Sequence, residues 1–277
     1  MKLSEAAKIL RSAGIESAAY EARELFSHFG GFERAQLRGT DAECGSEELI
    51  RAVNRRAERE PLQYIIGKVG FYREEYKTDS RALIPRADTE LLVDYAVGHL
   101  PGGARFLDLC TGTGCVGISV LCNTENTSAV LADISEGALS LAAENAELLG
   151  VSDRAELIRR DVTESAVEGE FFAVLSNPPY IARSVYEGLA SEIFHEPKIA
   201  FVGGEDGGEF YRILTPMYKN RIAEGGFIAF EIGYDQADLL REIAAKEGMS
   251  CEILRDLGGN DRVAVLRRIC SVVPSLK

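Results

Sequence analysis

Through the first sixty residues apolar positions recur every three or four places. From about residue 88 they gather instead into short, nearly continuous runs separated by helical stretches. "SEAAKILRSAG" reads as a helix with Ser4 as N-cap, Ala6, Ile9 and Leu10 on one side and Gly14 as its stop. "SAAYEARELFSHFGG" sets Ala18, Ala22, Leu25, Phe26 and Phe29 on one side and ends at Gly30. "SEELIRAVNRRAERE" begins at Ser46, carries two acids in its first turn, aligns Leu49, Ile50, Val53 and Ala57, and stops before Pro61. These helices predict a small domain over residues 1–62, too slight to bury much alone and packed on the rest of the chain. The glycine-punctuated, aromatic run over 63–82 predicts a β-hairpin linker. Over 83–277, strands at 105–109, 128–133, 155–161, 171–177 and 225–233 alternate with helices. "SCEILRD" and "DRVAVLRR" close the chain as an antiparallel pair. This order predicts an α/β fold with a mainly parallel sheet, helices on both faces and an antiparallel last strand.

Composition adds exclusions. The 277 residues are 46% apolar and 27% charged, and no apolar run nears the ~20 residues a membrane-crossing helix needs. The N-terminus lacks a long apolar stretch and holds an acid, so it reads as neither signal nor transit peptide, and the expected location is the cytoplasm. Cysteines 44, 110, 115, 122, 251 and 270 form no C-x-x-C pair, and the histidines are only His28, His99 and His195. Reduced, packed thiols and no metal site are expected. Net charge is −13, and residues 1–75 are nearly balanced, with 12 Lys+Arg against 13 Asp+Glu. The acidic excess therefore lies in the α/β part, a poor partner for phosphate backbones, so a small molecule or a protein is the expected partner. The chain is expected to act as a monomer, with neither nucleic acid nor membrane bound directly.

The first chemical motif is "FLDLCTGTGCVGIS". A buried strand ends at Leu109, a glycine-bearing turn comes next, and a helix begins near Val116. Gly112 and Gly114 let the backbone approach a ligand closely. With Gly117 the run formally fits G-x-G-x-x-G, but Asp108 would face a pyrophosphate unfavourably and suits a ligand with an ammonium group. Asp133 closes the next strand at the offset where an acid takes ribose hydroxyls. The pattern resembles the signature of class I methyltransferases that use S-adenosylmethionine (AdoMet), whose amine, sulfonium and ribose diol suit two acids. In that pattern Asp161 and Val162 flank the adenine.

The second is "NPPY", Asn177-Pro178-Pro179-Tyr180, at the end of a buried strand. Two prolines remove two N–H donors and keep their carbonyls as acceptors. Asn177 adds a side-chain carbonyl, and two convergent acceptors can hold an NH₂ group by both hydrogens. Tyr180 can lay its ring against a planar group. The set suits a planar amide or exocyclic amine as methyl acceptor, with catalysis by alignment and transition-state electrostatics.

Nearly the whole chain resembles the HemK/PrmC family, the protein-(glutamine-N5) methyltransferases of peptide chain release factors. Beyond "NPPY", the matching pieces are "PLQYIIGKVGFY", "LIPRADTELLV", "DLCTGTG", "HEPKIAFVGGEDGGEFYR", "GGFIAFEIG" and "NDRVAVLR". The resemblance implies a Rossmann-like AdoMet-dependent methyltransferase domain over 83–277 and an N-terminal domain that grips class 1 release factors. It implies methyl transfer to the glutamine of their GGQ motif, in support of translation termination. By position, Asp108, Cys110, Thr111, Gly112, Thr113, Gly114, Asp133, Asp161, Val162 and Asn177 would hold AdoMet. Asn177, Pro178, Pro179 and Tyr180 would hold the glutamine, with Asn177, Pro178 and Tyr180 catalytic. Arg86 and Glu90 fall near the cofactor without an assigned role. Three positions depart from the family: Cys110 where Gly is common, Ala87 for a proline, and Gly208 where Leu is common.

Two other readings compete. A nucleic-acid amine methyltransferase shares "NPPY" but conflicts with the acidic balance. A non-catalytic AdoMet-binding scaffold conflicts with the intact Asn177–Tyr180 set.

Overall fold

A computed structural model of the chain describes residues 1–189 and 191–269. Those residues pack as two compact units.

The first unit contains α1 (Leu3–Ser12), α2 (Ala18–Phe29), α3 (Glu47–Ala57) and the short α4 (Leu62–Ile66), joined by the turn Ser191–His195. The apolar stripes meet as predicted: Leu10, Leu25, Phe26, Leu49 and Val53 are fully buried in one cluster. The unit therefore has a core of its own, which the expectation of helices too few to bury much alone underrated. Each such side chain contributes about 1.5–3 kcal/mol. Ser46 caps α3 as expected, accepting from Leu49 N at 3.3 Å. Ser4 does not cap α1: Lys2 holds that position, and Ser4 Oγ donates to Asp41 at 2.8 Å instead. One polar group is sunk among these helices. Arg56 donates through Nε to Glu21 and through Nη2 to Glu192 at 2.9 Å.

The second unit opens with the hairpin β1 (Lys68–Phe71) and β2 (Glu74–Lys77), succeeded by α5 (Glu90–His99). Then come β3 (Arg105–Leu109), α6 (Cys115–Cys122), β4 (Ser128–Asp133), α7 (Glu136–Leu148), β5 (Ala155–Arg159), β6 (Phe171–Ser176) and α8 (Arg183–Tyr186). The remainder is α9 (Glu209–Tyr218), β7 (Ile222–Glu231), α10 (Ala237–Lys246), β8 (Met249–Arg255) and β9 (Asp261–Arg268). The sheet order is β5-β4-β3-β6-β7-β9-β8. β3 to β7 run parallel, and β9 is antiparallel to both its neighbours. Both faces are covered, so the central strands are apolar at nearly every position. Leu107, Val130, Val174 and Ile228 pack with Tyr211, Leu214 and Leu240 on one face. Phe106, Leu131, Ala173 and Phe227 pack with Leu92, Val116 and Ile118 on the other.

Chain order reverses between β3 and β6, each the other's neighbour, and ligands of open α/β sheets bind where such a reversal splays the loops apart. Both chemical motifs leave the sheet there. Expected bounds are corrected: β7 covers Ile222–Glu231 rather than 225–233, and the start of the segment expected as a hairpin forms α4 instead. β5 stops at Arg159, so Asp161 and Val162 lie on the turn beyond it. Asp161 Oδ1 accepts from Thr163 N at 2.9 Å and Thr163 Oγ1 at 2.6 Å, and this local turn draws the chain out of the ladder. Cys270 falls outside the described residues.

Candidate active site

The loop after β3 is built on left-handed backbone. Cys110, Gly112 and Gly114 have φ of 57°, 56° and 81°. That geometry explains why glycine suits position 110; a side chain there costs about 1–2 kcal/mol. A Cβ on Gly117 would stand 2.2 Å from Leu131, so α6 lies close on the sheet only because that residue is glycine. Two acids tie the loop down. Asp108, 1% exposed, accepts from Thr111 Oγ1 at 2.6 Å and Gly117 N at 3.0 Å. Asp133 accepts from Gly112 N and Ser135 N, both at 2.9 Å.

Two adjoining clefts meet at this loop, sharing Leu83, Cys110, Gly112 and Asn177. The larger, about 190 Å³, is also lined by Asp133, Ile134, Asp161, Val162, Pro179 and Phe210. The smaller, about 40 Å³, is lined by Asp108, Thr111, Thr113, Arg86 and Thr89. Burial pushes the Asp108 carboxyl up to about 7, with nearby Asp133 adding to it against the hydrogen bonds from Thr111 and Gly117. Burial also raises Asp133, while the Thr163 hydrogen bonds lower Asp161. Burial lifts the Cys110 thiol far above its usual range, so it is no nucleophile.

A cationic amine beside Asp108 would relieve a carboxyl that burial disfavours. Thr113 lines the smaller cleft with its Oγ1 buried beside the Cys115 thiol, a weak partner. Gly112 leaves open space, since a Cβ there would meet only Ala82 at 3.9 Å. The set fits an elongated ligand with an amino-acid end in the smaller cleft and hydroxyls near Asp133, the features of AdoMet.

Asn177 lines both clefts and donates from Nδ2 to Thr89 Oγ1 at 3.1 Å. With its nitrogen committed, the amide offers Oδ1 as an acceptor. Among the described residues no donor reaches the carbonyl of buried Pro178. Pro178 and Tyr180 line neither cleft; the Tyr180 hydroxyl donates to Glu231 Oε1 at 3.1 Å. Gln236 Nε2 donates to the Tyr180 carbonyl at 3.0 Å.

Nine of the ten predicted cofactor residues therefore line the paired clefts. The tenth, Gly114, shapes the turn, where a Cβ would stand 2.6 Å from Ile118. Glu90 lies outside, accepting from Tyr72 N at 2.9 Å, and His195 is exposed on the other unit's turn. Sequence reasoning missed Thr89, Glu231 and the glycines that cover the NPPY loop. A Cβ on Gly203 would lie 2.3 Å from the Pro179 oxygen, and one on Gly207 2.2 Å from the Tyr180 oxygen. The signals were present as an acid inside the apolar run "FIAFEIG" and four glycines in "GGEDGG". At Gly208 the space a side chain would take is filled by Leu239, 2.6 Å from the position of a Cβ.

Comparison with known proteins places this geometry. A family model described as the methyltransferase small domain matches residues 87–214, and one described as the PrmC N-terminal domain matches residues 2–67. A release factor glutamine methyltransferase from Caulobacter vibrioides is 34% identical over 92% of this chain and 91% of its own length. Another from Agrobacterium fabrum is 35% identical over 96% of both. A ribosomal protein L11 methylase from Lactobacillus delbrueckii shares the fold, with a TM-score of 0.50, 19% identity, and 69% of this chain and 83% of that one covered.

Proposed function

Because the chain belongs to the release factor glutamine methyltransferase family, we propose that it methylates the side-chain amide nitrogen of the GGQ glutamine in class 1 peptide chain release factors. AdoMet is the methyl donor; when bound it supplies an electrophilic methyl on a good leaving group. Asp108 and Thr113 would face its amino-acid end, Asp133 its ribose, and Asp161 with Val162 its base.

The observation that carries the reading is the pair of acceptors at the end of β6. Asn177 Oδ1 and the Pro178 carbonyl are left without protein donors among the described residues, while the Asn177 nitrogen is held by Thr89. An amide nitrogen is a weak nucleophile because its lone pair is delocalised. Acceptors on both of its hydrogens favour the more electron-rich nitrogen that develops as the methyl arrives, and the methylated nitrogen then releases one of the two as a proton. The same two acceptors give the nitrogen one orientation, which is the alignment contribution. Pro179, a wall of the larger cleft, fixes the backbone beside them.

The helical unit, matched by the PrmC N-terminal model, is assigned to holding the release factor away from the glutamine. We read the enzyme as a cytoplasmic monomer that binds no nucleic acid directly. The acidic excess of the α/β part supports the last of these, since phosphate backbones are held by Lys and Arg. Mass spectrometry of an intact release factor, a GGQ peptide and an RNA after incubation with AdoMet tests the assignment. One added methyl on the glutamine is expected. No methyl there, or methyl on RNA, overturns it.

A further inference from the structure

Glu231 is the least expected side chain near the site. It ends β7, is 1% exposed, and has no part in the methyl transfer derived from Asn177 and Pro178. In the parallel ladder Ser176 pairs with Phe230, so Glu231 stands one place past the last pair, beside the start of the NPPY loop. Its Oε1 accepts from the Tyr180 hydroxyl at 3.1 Å, and its Oε2 is buried without a partner of ordinary hydrogen-bond geometry among the described residues. A buried carboxyl so poorly satisfied costs stability, and an apolar or amide side chain of similar volume would be cheaper there.

What the carboxyl does hold is the loop. Tyr180 is tied to it directly. The far end of the tetrapeptide thus leads to this carboxyl. We propose that Glu231 is a positioning residue for methyl transfer, holding Tyr180 and with it the NPPY loop, so that the acceptors on the substrate amide keep one orientation. This rests on the proposed glutamine methylation.

The test compares wild type with Glu231→Leu, Tyr180→Phe and the double variant. Four quantities are read: kcat and KM on an intact release factor, AdoMet affinity, and melting temperature. Each single variant is expected to lose about tenfold in kcat, with KM and AdoMet affinity within about threefold. The double variant loses no more than either single, because the two changes break one connection. Glu231→Leu melts no lower than wild type, since a costly buried carboxyl has gone, so activity and stability move apart. A merely structural Glu231 would lower both together. Wild-type kcat in both singles, multiplying losses in the double, or matching losses of melting temperature overturns the inference. Tyr180→Phe keeps the result decisive if Glu231→Leu folds poorly. An active wild type with unaffected variants overturns this inference alone, whereas a wild type silent on the release factor overturns the proposed function with it.

Discussion

Asn177 and Thr89 lie 88 positions apart and are joined by one hydrogen bond, Nδ2 to Oγ1 at 3.1 Å. That bond decides which end of the Asn177 amide is free, and so whether the residue meets a substrate NH₂ as an acceptor or repels it as a donor.

Removing the acceptor removes the chemistry. Asn177→Ala should lower methylation of a release factor by at least about 100-fold. Thr89→Val, which only frees the amide to rotate, should cost on the order of tenfold. Single-turnover rates at saturating AdoMet check both, and a Thr89→Val enzyme as fast as wild type would exclude the orienting role.

AdoMet affinity should depend on pH through Asp108, which burial holds up to about 7. The ligand ammonium favours the charged carboxylate, so binding tightens as pH rises from 6 to 8, by up to about tenfold per unit on the acid side. The α-amino group of the ligand limits the gain at the alkaline end. Asp133 is the neighbouring acid that acts on Asp108, and burial raises it too. Calorimetric titration should show this slope for AdoMet. The slope should vanish for 5′-methylthioadenosine, which lacks the amine, and in Asp108→Asn.

The ligand-free protein should show the opposite trend. Asp108 and Glu231 are both raised to about 7 by burial, so the folded state holds protons that the unfolded state has already released. Their contribution is fully present below the unfolded carboxyl range and lost as pH rises through about 7. For Glu231 the facing groups Arg262, Asp88, Thr89 and Tyr180 all bear on this value, Arg262 and the two hydroxyls lowering it and Asp88 raising it. Melting temperature of the ligand-free enzyme should rise between pH 8 and 6, and Glu231→Gln and Asp108→Asn should each flatten that rise.

The glycines over the NPPY loop should tolerate no side chain. Gly207→Ala places a Cβ 2.2 Å from the Tyr180 oxygen at a residue with φ 77°, costing about 1–2 kcal/mol from backbone alone. Displacement of the loop should lower kcat about 100-fold while AdoMet affinity, held mostly by the loop after β3, changes only a few-fold. Kinetics with calorimetric binding separates the two.

In the helical unit, Arg56→Ala would leave Glu21, 7% exposed, buried without its partner. A loss of about 3–5 kcal/mol is expected, and less for Arg56→Met. Hydrogen exchange at Leu25 and Val53 should quicken while the central strands β3 and β6 stay protected.

Much of this protein was legible one residue at a time. The 3.6 and continuous apolar periods gave the helices and the buried strands, because burial on one stripe or on both faces leaves its own repeat in the chain. Gly112, Gly114, Asp133 and Asn177 were legible because a tight turn and a strand-ending acid are local events. The strand ends before Asp161 because an Asp-Thr turn, also local, competes with the ladder. Glu231 and Thr89 were not legible at all. An acid in an apolar run and a threonine before a helix have many ordinary uses.

The α/β order, the cofactor loop and a pair of proline-protected acceptors follow from the chain alone, since each arises from the conformations that neighbouring residues allow. That β6 lies between β3 and β7 is a property of the folded sheet. That placement sets Tyr180 on Glu231 and turns the Asn177 amide toward Thr89. These contacts join residues dozens of positions apart, and a hydrogen bond at that separation depends on how the sheet is ordered, which no local preference encodes.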